Sequence, residues 1–307
     1  MLLRRGLACS AGGRSGILTE ECAPIEPHMC ADSMNDIQHL IAEYATINVL
    51  DHDIHERTSM AQHDRVFPFY VMSYMKEGSS VIRHDAGVIT ANVGDVIIVP
   101  PNLRHDHTME RSRHTIFFWW HFTLSIGRQL DVLRVINEPT AFRLEHREEF
   151  ENKFVEYVEL SRRQSPSLSI QLLRRAKALE VLAYVLEGAS VLRYVKDGFA
   201  DVPDEFASMI RDLVETPEVY RHVNALAERY GYHPTYVTNR FKHFFGTTPG
   251  RLGRALLCEK AELLIRSRDL SLSEVAEELN FSDASSFTRF FKAEKGISPL
   301  TYRNSKL

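Results

Sequence analysis

Cysteine is scarce in this chain, with four in 307 residues. Cys9, Cys22 and Cys30 lie near the start and Cys258 stands far away, with none of the close pairs of a zinc knuckle. That excludes a disulfide scaffold and suits reduced thiols in the cytoplasm. Long apolar runs are also missing. None approaches the roughly 18 residues of a membrane span, so no membrane partner is expected. Nor is there an excess of positive charge. A net charge of −4 excludes binding nucleic acid by bulk attraction and leaves only a local basic face for that role. Arg4 and Arg5 are not followed by the apolar stretch of a secretory leader.

What is present is ordinary globular composition, 44% hydrophobic and 25% charged, in a length that suits two domains. From Asp204 onward there are 15 basic and 14 acidic residues, against 22 and 27 before it. The two parts are expected to do different work. Residues 1–33 carry Gly, Ser, Ala, Arg and Cys without apolar periodicity, and read as a disordered extension. From about Ala45 to Leu124, short alternating runs broken at Gly78, Gly87 and Gly94 predict a small β-barrel or sandwich. From about Arg147 to Tyr194 the period changes to three and four. Phe150, Phe154, Tyr157 and Val158 share a face of one helix; Leu172, Ala176, Leu179 and Leu182 share a face of the next. These helices are expected to pack on the strands, and the second to offer a homodimer contact. Residues 34–195 thus form one domain. Gly198, Pro203 and the surrounding acids mark a linker at 196–204, before an all-helical domain at 205–307.

The last hundred residues contain a repeat. "LAERYGYHPTYVTNRFKHFFGTTP" recurs as "VAEELNFSDASSFTRFFKAEKGISP". Gly246 and Gly296 are 50 apart, as are Phe241 and Phe291, whereas Tyr232 and Phe281 are 49 apart. The second copy therefore carries one extra residue in its turn. Each copy reads as a helix-turn-helix. Gly231 supplies a left-handed turn and Pro234 suits the first turn of the following helix. Ser273 is expected to cap the helix that opens the second copy. Val237 and Phe241, and Phe287 and Phe291, make the buried stripes. Thr235, Thr238, Asn239 and Lys242 then fall outward in the first copy, and Ala284, Ser285, Thr288, Arg289 and Lys292 in the second. Thr, Ser, Asn and Arg are side chains that bond base edges and phosphates, so these are the candidate contacts to double-stranded DNA. Residues 249–267 read as one connecting helix of about 25 Å, which could hold two recognition helices about one DNA turn apart.

The stretch "LSLSEVAEELNFSDASSFTRFFKAEKGISPLTYR" resembles the signature of the AraC/XylS transcription regulators. Two positions depart from it: Asn280 stands where Gly is usual and Ser286 where Tyr is usual. Asn tolerates the left-handed conformation, so the turn should survive. The resemblance implies a non-enzymatic, cytoplasmic regulator of α+β class. It would have a cupin-like β-barrel sensor, helices for packing and dimerisation, and two helix-turn-helix units joined by a connecting helix. It would bind a promoter operator, act with RNA polymerase and work as a homodimer. "GDVIIVPPNLRHDH" similarly resembles a cupin half-motif, with Gly94, Pro100 and His105 in register. The earlier His-x-His of metal-binding cupins is missing; only His84 stands in that region. No metal and no cofactor are therefore expected. The alternative is a metal-dependent cupin enzyme with a helical assembly domain, its ion completed by other histidines. In the regulator, Arg65, His105, Trp119 and Trp120 are the candidate contacts to a small polar effector, a sugar or sugar acid. An indole stacks on a ring face while Arg or His bonds hydroxyls or a carboxylate. The two indoles alternate faces, so only one should point inward.

Overall fold

The computed structural model describes residues 30–109, 114–163, 167–188, 199, 201–220, 222–267 and 269–305. Residues 1–29 of the expected extension, and 196–198 and 200 of the expected linker, lie outside these. The order of elements is α1 (Cys30–Tyr44), then strands β1 (Thr46–Arg57), β2 (Met60–Arg65), β3 (Tyr70–Glu77), β4 (Ser80–His84), β5 (Gly87–Ala91), β6 (Asp95–Val99), β7 (His105–Met109), β8 (Thr115–Ile126), β9 (Leu130–Asp131) and β10 (Thr140–Arg143). Nine helices follow among the described residues: α2 (Arg147–Arg162), α3 (Leu168–Glu187), α4 (Asp204–Glu215), α5 (Val223–Arg229), α6 (Pro234–Phe245), α7 (Pro249–Arg266), α8 (Leu272–Glu278), α9 (Ala284–Lys295) and α10 (Pro299–Ser305). The fold is α+β, as expected.

The strands form two antiparallel sheets rather than one closed barrel. One runs β1-β8-β3-β6-β10, with β9 on β8; the other runs β2-β7-β4-β5. Among the described strands no ladder joins the two sheets. The cupin half-motif predicts the turns and strands of each sheet, but closure depends on edge pairing that the motif does not encode. The larger sheet is buried on both faces. Along β8, Phe118, Trp120 and Phe122 pack towards Phe150, Phe154 and Tyr157 of α2. Phe117 and Trp119 alternate with them and join Val71, Met75, Ile82 and Val99 between the sheets.

Helix α3 buries Ala178, Val181, Leu182 and Val185. Of the apolar face read from the sequence, only Leu182 is core. Leu168, Leu172 and Leu179 remain in solvent, at 70%, 58% and 45% exposure. That leaves an apolar stripe along the helix with no cover among the described residues.

The helical part does not stand apart from the strands. The segment after β8 sends Leu130, Val132, Leu133 and Ile136 into the same core as Phe206 of α4, Phe244 of α6 and Leu252 and Leu256 of α7. Helix α7 passes from this core into a second one. Its Leu257, Cys258, Ala261 and Ile265 pack with Val275, Phe287, Phe291 and Tyr302. The first helix-turn-helix thus shares its core with the sheets, and the second has its own.

Candidate nucleic-acid interface and interior cavity

The repeat has the same backbone twice. Gly231 and Asn280 both take positive φ, +68° and +53°. Tyr232 N–H donates to Ala227 C=O and Phe281 N–H to Ala276 C=O, each at 2.9 Å, the long hydrogen bond that closes a helix around a left-handed residue. After this common turn, His233 caps α6 and Asp283 caps α9. The extra residue of the second copy is therefore Ser282, set between turn and cap. The cap of α8 is Ser271 in a capping box with Glu274, rather than Ser273. Helices α6 and α9 both end on a left-handed glycine, Gly246 and Gly296.

These caps aim α6 and α9. In α6, Thr235, Asn239 and Lys242 are exposed, and Thr238 is half-buried with its hydroxyl donating to Pro234 C=O at 2.9 Å. In α9, Ser285, Arg289 and Lys292 are exposed, and Ala284 and Thr288 are half-buried. Ala284 packs against the core of the second head. Val237, Phe241, Phe287 and Phe291 are fully buried beneath them. The N-terminus of α9 carries a relay that orients Arg289. Asp283 accepts from the Ser286 N–H at 2.7 Å and from its hydroxyl at 2.9 Å, and the Ser286 oxygen accepts from Arg289 Nη2 at 2.9 Å. The Ser286 N–H and hydroxyl, with Ser282, hold the Asp283 carboxyl at about 2, well below its ordinary value. Ser286, where the family motif has Tyr, here braces the arginine. Between the two heads lies a cleft of about 620 Å³, lined by Thr238, Thr248, Arg251, Arg254, Ser282 and Ser286.

A cavity of about 170 Å³ lies between the sheets. Arg65, Ser73, His107, Trp119 and His121 line it, with His55 also contributing. The β7 register brings Arg65 opposite His105 and Gln62 opposite His107. Of the four effector contacts read from the sequence, Arg65 and Trp119 line this cavity. Trp120 is on the opposite face of β8, against Phe122 and Tyr157. His105 is buried, its Nδ1 donating to Leu103 C=O at 3.0 Å, but it does not line the cavity. The sequence reading left out His107 and His121. Strand alternation signals both: each stands two residues from a residue it did choose, His105 and Trp119.

Burial, with a smaller contribution from the Arg65 charge, pushes His107 down to about 3 and His121 to about 4. These imidazoles are neutral at pH 7. Burial also lowers Arg65 itself. Its guanidinium carbon lies over the Phe67 ring, 4.7 Å from the centroid. Among the described residues no three His, Cys, Asp or Glu side chains gather as a metal site. No described helix is long and apolar enough to cross a membrane.

A helix-turn-helix domain family matches residues 226–305, which spans both heads and α7. An uncharacterised HTH-type transcriptional regulator of Bacillus subtilis, YisR, is 23% identical over 265 residues, 78% of this chain and 87% of that protein. The MmsAB operon regulatory protein of Pseudomonas aeruginosa is 24% identical over 251 residues, 80% of this chain and 78% of its own. The structure of ToxT from Vibrio cholerae overlays with a TM-score of 0.31 at 11% identity, covering 84% of this chain and 97% of that one. The helix-turn-helix match over residues 226–305, with similarity to named transcriptional regulators over most of the chain, bears out the resemblance of this region to AraC/XylS regulators.

Proposed function

We propose that this DNA-binding regulator reads a promoter operator with α6 and α9 and adjusts that reading to a small polar effector held between its sheets. The paired heads carry the reading. Two helices that follow the same left-handed turn and end on the same left-handed glycine present Thr235, Asn239 and Lys242, and Ser285, Arg289 and Lys292, with no acid among these positions. Connecting helix α7 has 18 residues, or about 27 Å at 1.5 Å per residue. That suits recognition helices in successive major grooves. The cleft between the heads then faces the intervening backbone, where Arg251 can meet phosphate.

The effector we assign to the cavity is a sugar or sugar acid. The Trp119 face is available to a ring, and Arg65 with the neutral imidazoles can bond hydroxyls or a carboxylate. The exposed stripe of Leu168, Leu172 and Leu179 is the surface we assign to a homodimer, which would present four heads to an operator. We place the protein in the cytoplasm, acting on transcription with RNA polymerase. Selection of bound fragments from genomic DNA tests the reading: enrichment of a site with half-sites about one turn apart supports it, and recovery of random fragments ends it.

A further inference from the structure

The interior cavity holds a charge that has no counterpart. Arg65 is half-buried at the end of β2, and no hydrogen bond or salt bridge to its guanidinium is present among the described residues. The other polar groups lining the cavity are neutral at pH 7: Gln62, Ser73, the Trp119 indole, and the imidazoles of His55, His107 and His121. Two of these are also unsatisfied. His107 Nε2 and Trp119 Nε1 are buried with no hydrogen-bond partner. An unpaired cation and two idle nitrogen atoms in one cavity are costly unless something else completes them.

We infer that this cavity is the seat of a carboxylate, carried by a small organic acid, with Arg65 as its counter-charge and Trp119 and His107 as hydrogen-bond partners. The inference rests on the cavity being the effector site and narrows the class of effector. A guanidinium matches a carboxylate through two parallel hydrogen bonds, which a neutral hydroxyl cannot offer. The indole N–H can only donate, so it too asks for an acceptor. A metal cation would meet the Arg65 charge at close range. The volume limits the rest of the molecule. About 170 Å³ falls below the roughly 300–1,000 Å³ of drug-sized sites. The acid is therefore small, with its carboxylate on Arg65 and its body against Trp119, Val71 and Phe117. A bound anion would also offset the part of the lowering of His107 and His121 that comes from the Arg65 charge. Asp51 is the acid that acts on His121 from β1.

The test is calorimetry on the full chain with propanoate, lactate and benzoate, with the amide of each, and with glucose and ribose. At least one acid should bind, and its amide should bind at least about 30-fold more weakly, the loss expected when one partner of a buried charge pair is removed. Arg65→Gln should lose the acid by a similar factor, and Arg65→Lys should recover part of it. Without ligand, Arg65→Gln should melt no lower than the parent, because it removes an unpaired buried charge. A merely structural arginine would give the opposite. Amides or sugars that bind as tightly as the acids, no acid bound at all, or acid binding unchanged in Arg65→Gln would each overturn the seat. Sugar binding that quenches tryptophan fluorescence would keep the cavity as an effector site while ending the carboxylate assignment. Acid binding that leaves operator affinity unchanged would keep the seat and end its role in sensing.

Discussion

Arg134, in the segment after β9, donates across to the carbonyl of His243 at 3.3 Å and to that of Phe244 beside it. These carbonyls close the C-terminal end of α6, the first reading helix. A cation there satisfies orphan acceptors and complements the helix dipole. The contact ties the strand part of the molecule to the base of that helix. Arg134→Ala should cost about 1–2 kcal/mol and loosen the first head from the sheets. Hydrogen exchange should rise in α6 while α9 stays protected. Equal protection of the two helices before and after the change would show that Arg134 does not hold the head. Gly246→Ala should act on the same joint. Gly246 has a φ of +71° and a Cβ there would lie 2.9 Å from Arg134 Nε.

Arg289 is braced by Ser286, and in the proposed reading it meets a base edge. Arg289→Ala should lose about 1–3 kcal/mol at one base pair and relax preference there, whereas Lys292→Ala should weaken all sequences alike and lower the salt dependence. Binding to a panel of operators with single changes reads both. An equal loss on every sequence would make Arg289 a phosphate contact.

The leucines of α3 lie outside the core, so charge can be placed there without breaking it. Leu172→Glu with Leu179→Glu should leave the melting temperature near that of the parent and convert dimers to monomers in analytical ultracentrifugation. Dimers that persist would move the interface elsewhere on the surface.

Buried Glu262 anchors the second head. It accepts from Tyr302 Oη at 2.6 Å, pairs with Lys295 and lies 3.7 Å from Arg266. Burial raises its pKa, but the bonds from Lys295 and Tyr302 outweigh that and leave it below its ordinary value. A carboxylate lowered on folding adds stability above its unfolded pKa, and that stability is lost as pH falls through the folded one. The second head should therefore weaken below about pH 4.5. Glu262→Gln should lower its melting temperature at pH 7 and flatten that acid limb. An unchanged limb would assign the acid sensitivity to other groups.

How much of this was readable depends on the kind of signal. The repeat was legible because each position answers to local chemistry. Asn280 took the left-handed turn in place of Gly, and Ser282 is the extra residue where the count required one. The reading of β8 correctly had its two indoles on opposite faces, but alternation alone does not say which face is covered by helices. Trp120 went to α2 and Trp119 to the cavity. Leu172 and Leu179 have the spacing of a core stripe, yet the two-helix layer was already filled by Ala178, Val181 and Val185. Ser271 displaced Ser273 as a cap because Glu274 stands three residues after it, completing a capping box. Arg134 gave no signal at all. Its acceptors are backbone carbonyls more than a hundred residues away, and backbone carbonyls have no letter in a sequence.

Helix α7 belongs to both cores at once, Leu252 and Leu256 on one side and Leu257, Ala261 and Ile265 on the other. It therefore works as a ruler with no slack. The distance and the angular phase between the two reading helices are fixed by a single rod of protein, not by a tether that can stretch. One base pair inserted between the half-sites turns the second by ~34° around the duplex axis, given about 10.5 base pairs per turn. A tethered pair of heads would absorb that rotation. This one would have to bend the DNA or release a head, so an operator should tolerate changed letters within its half-sites far better than a changed count between them.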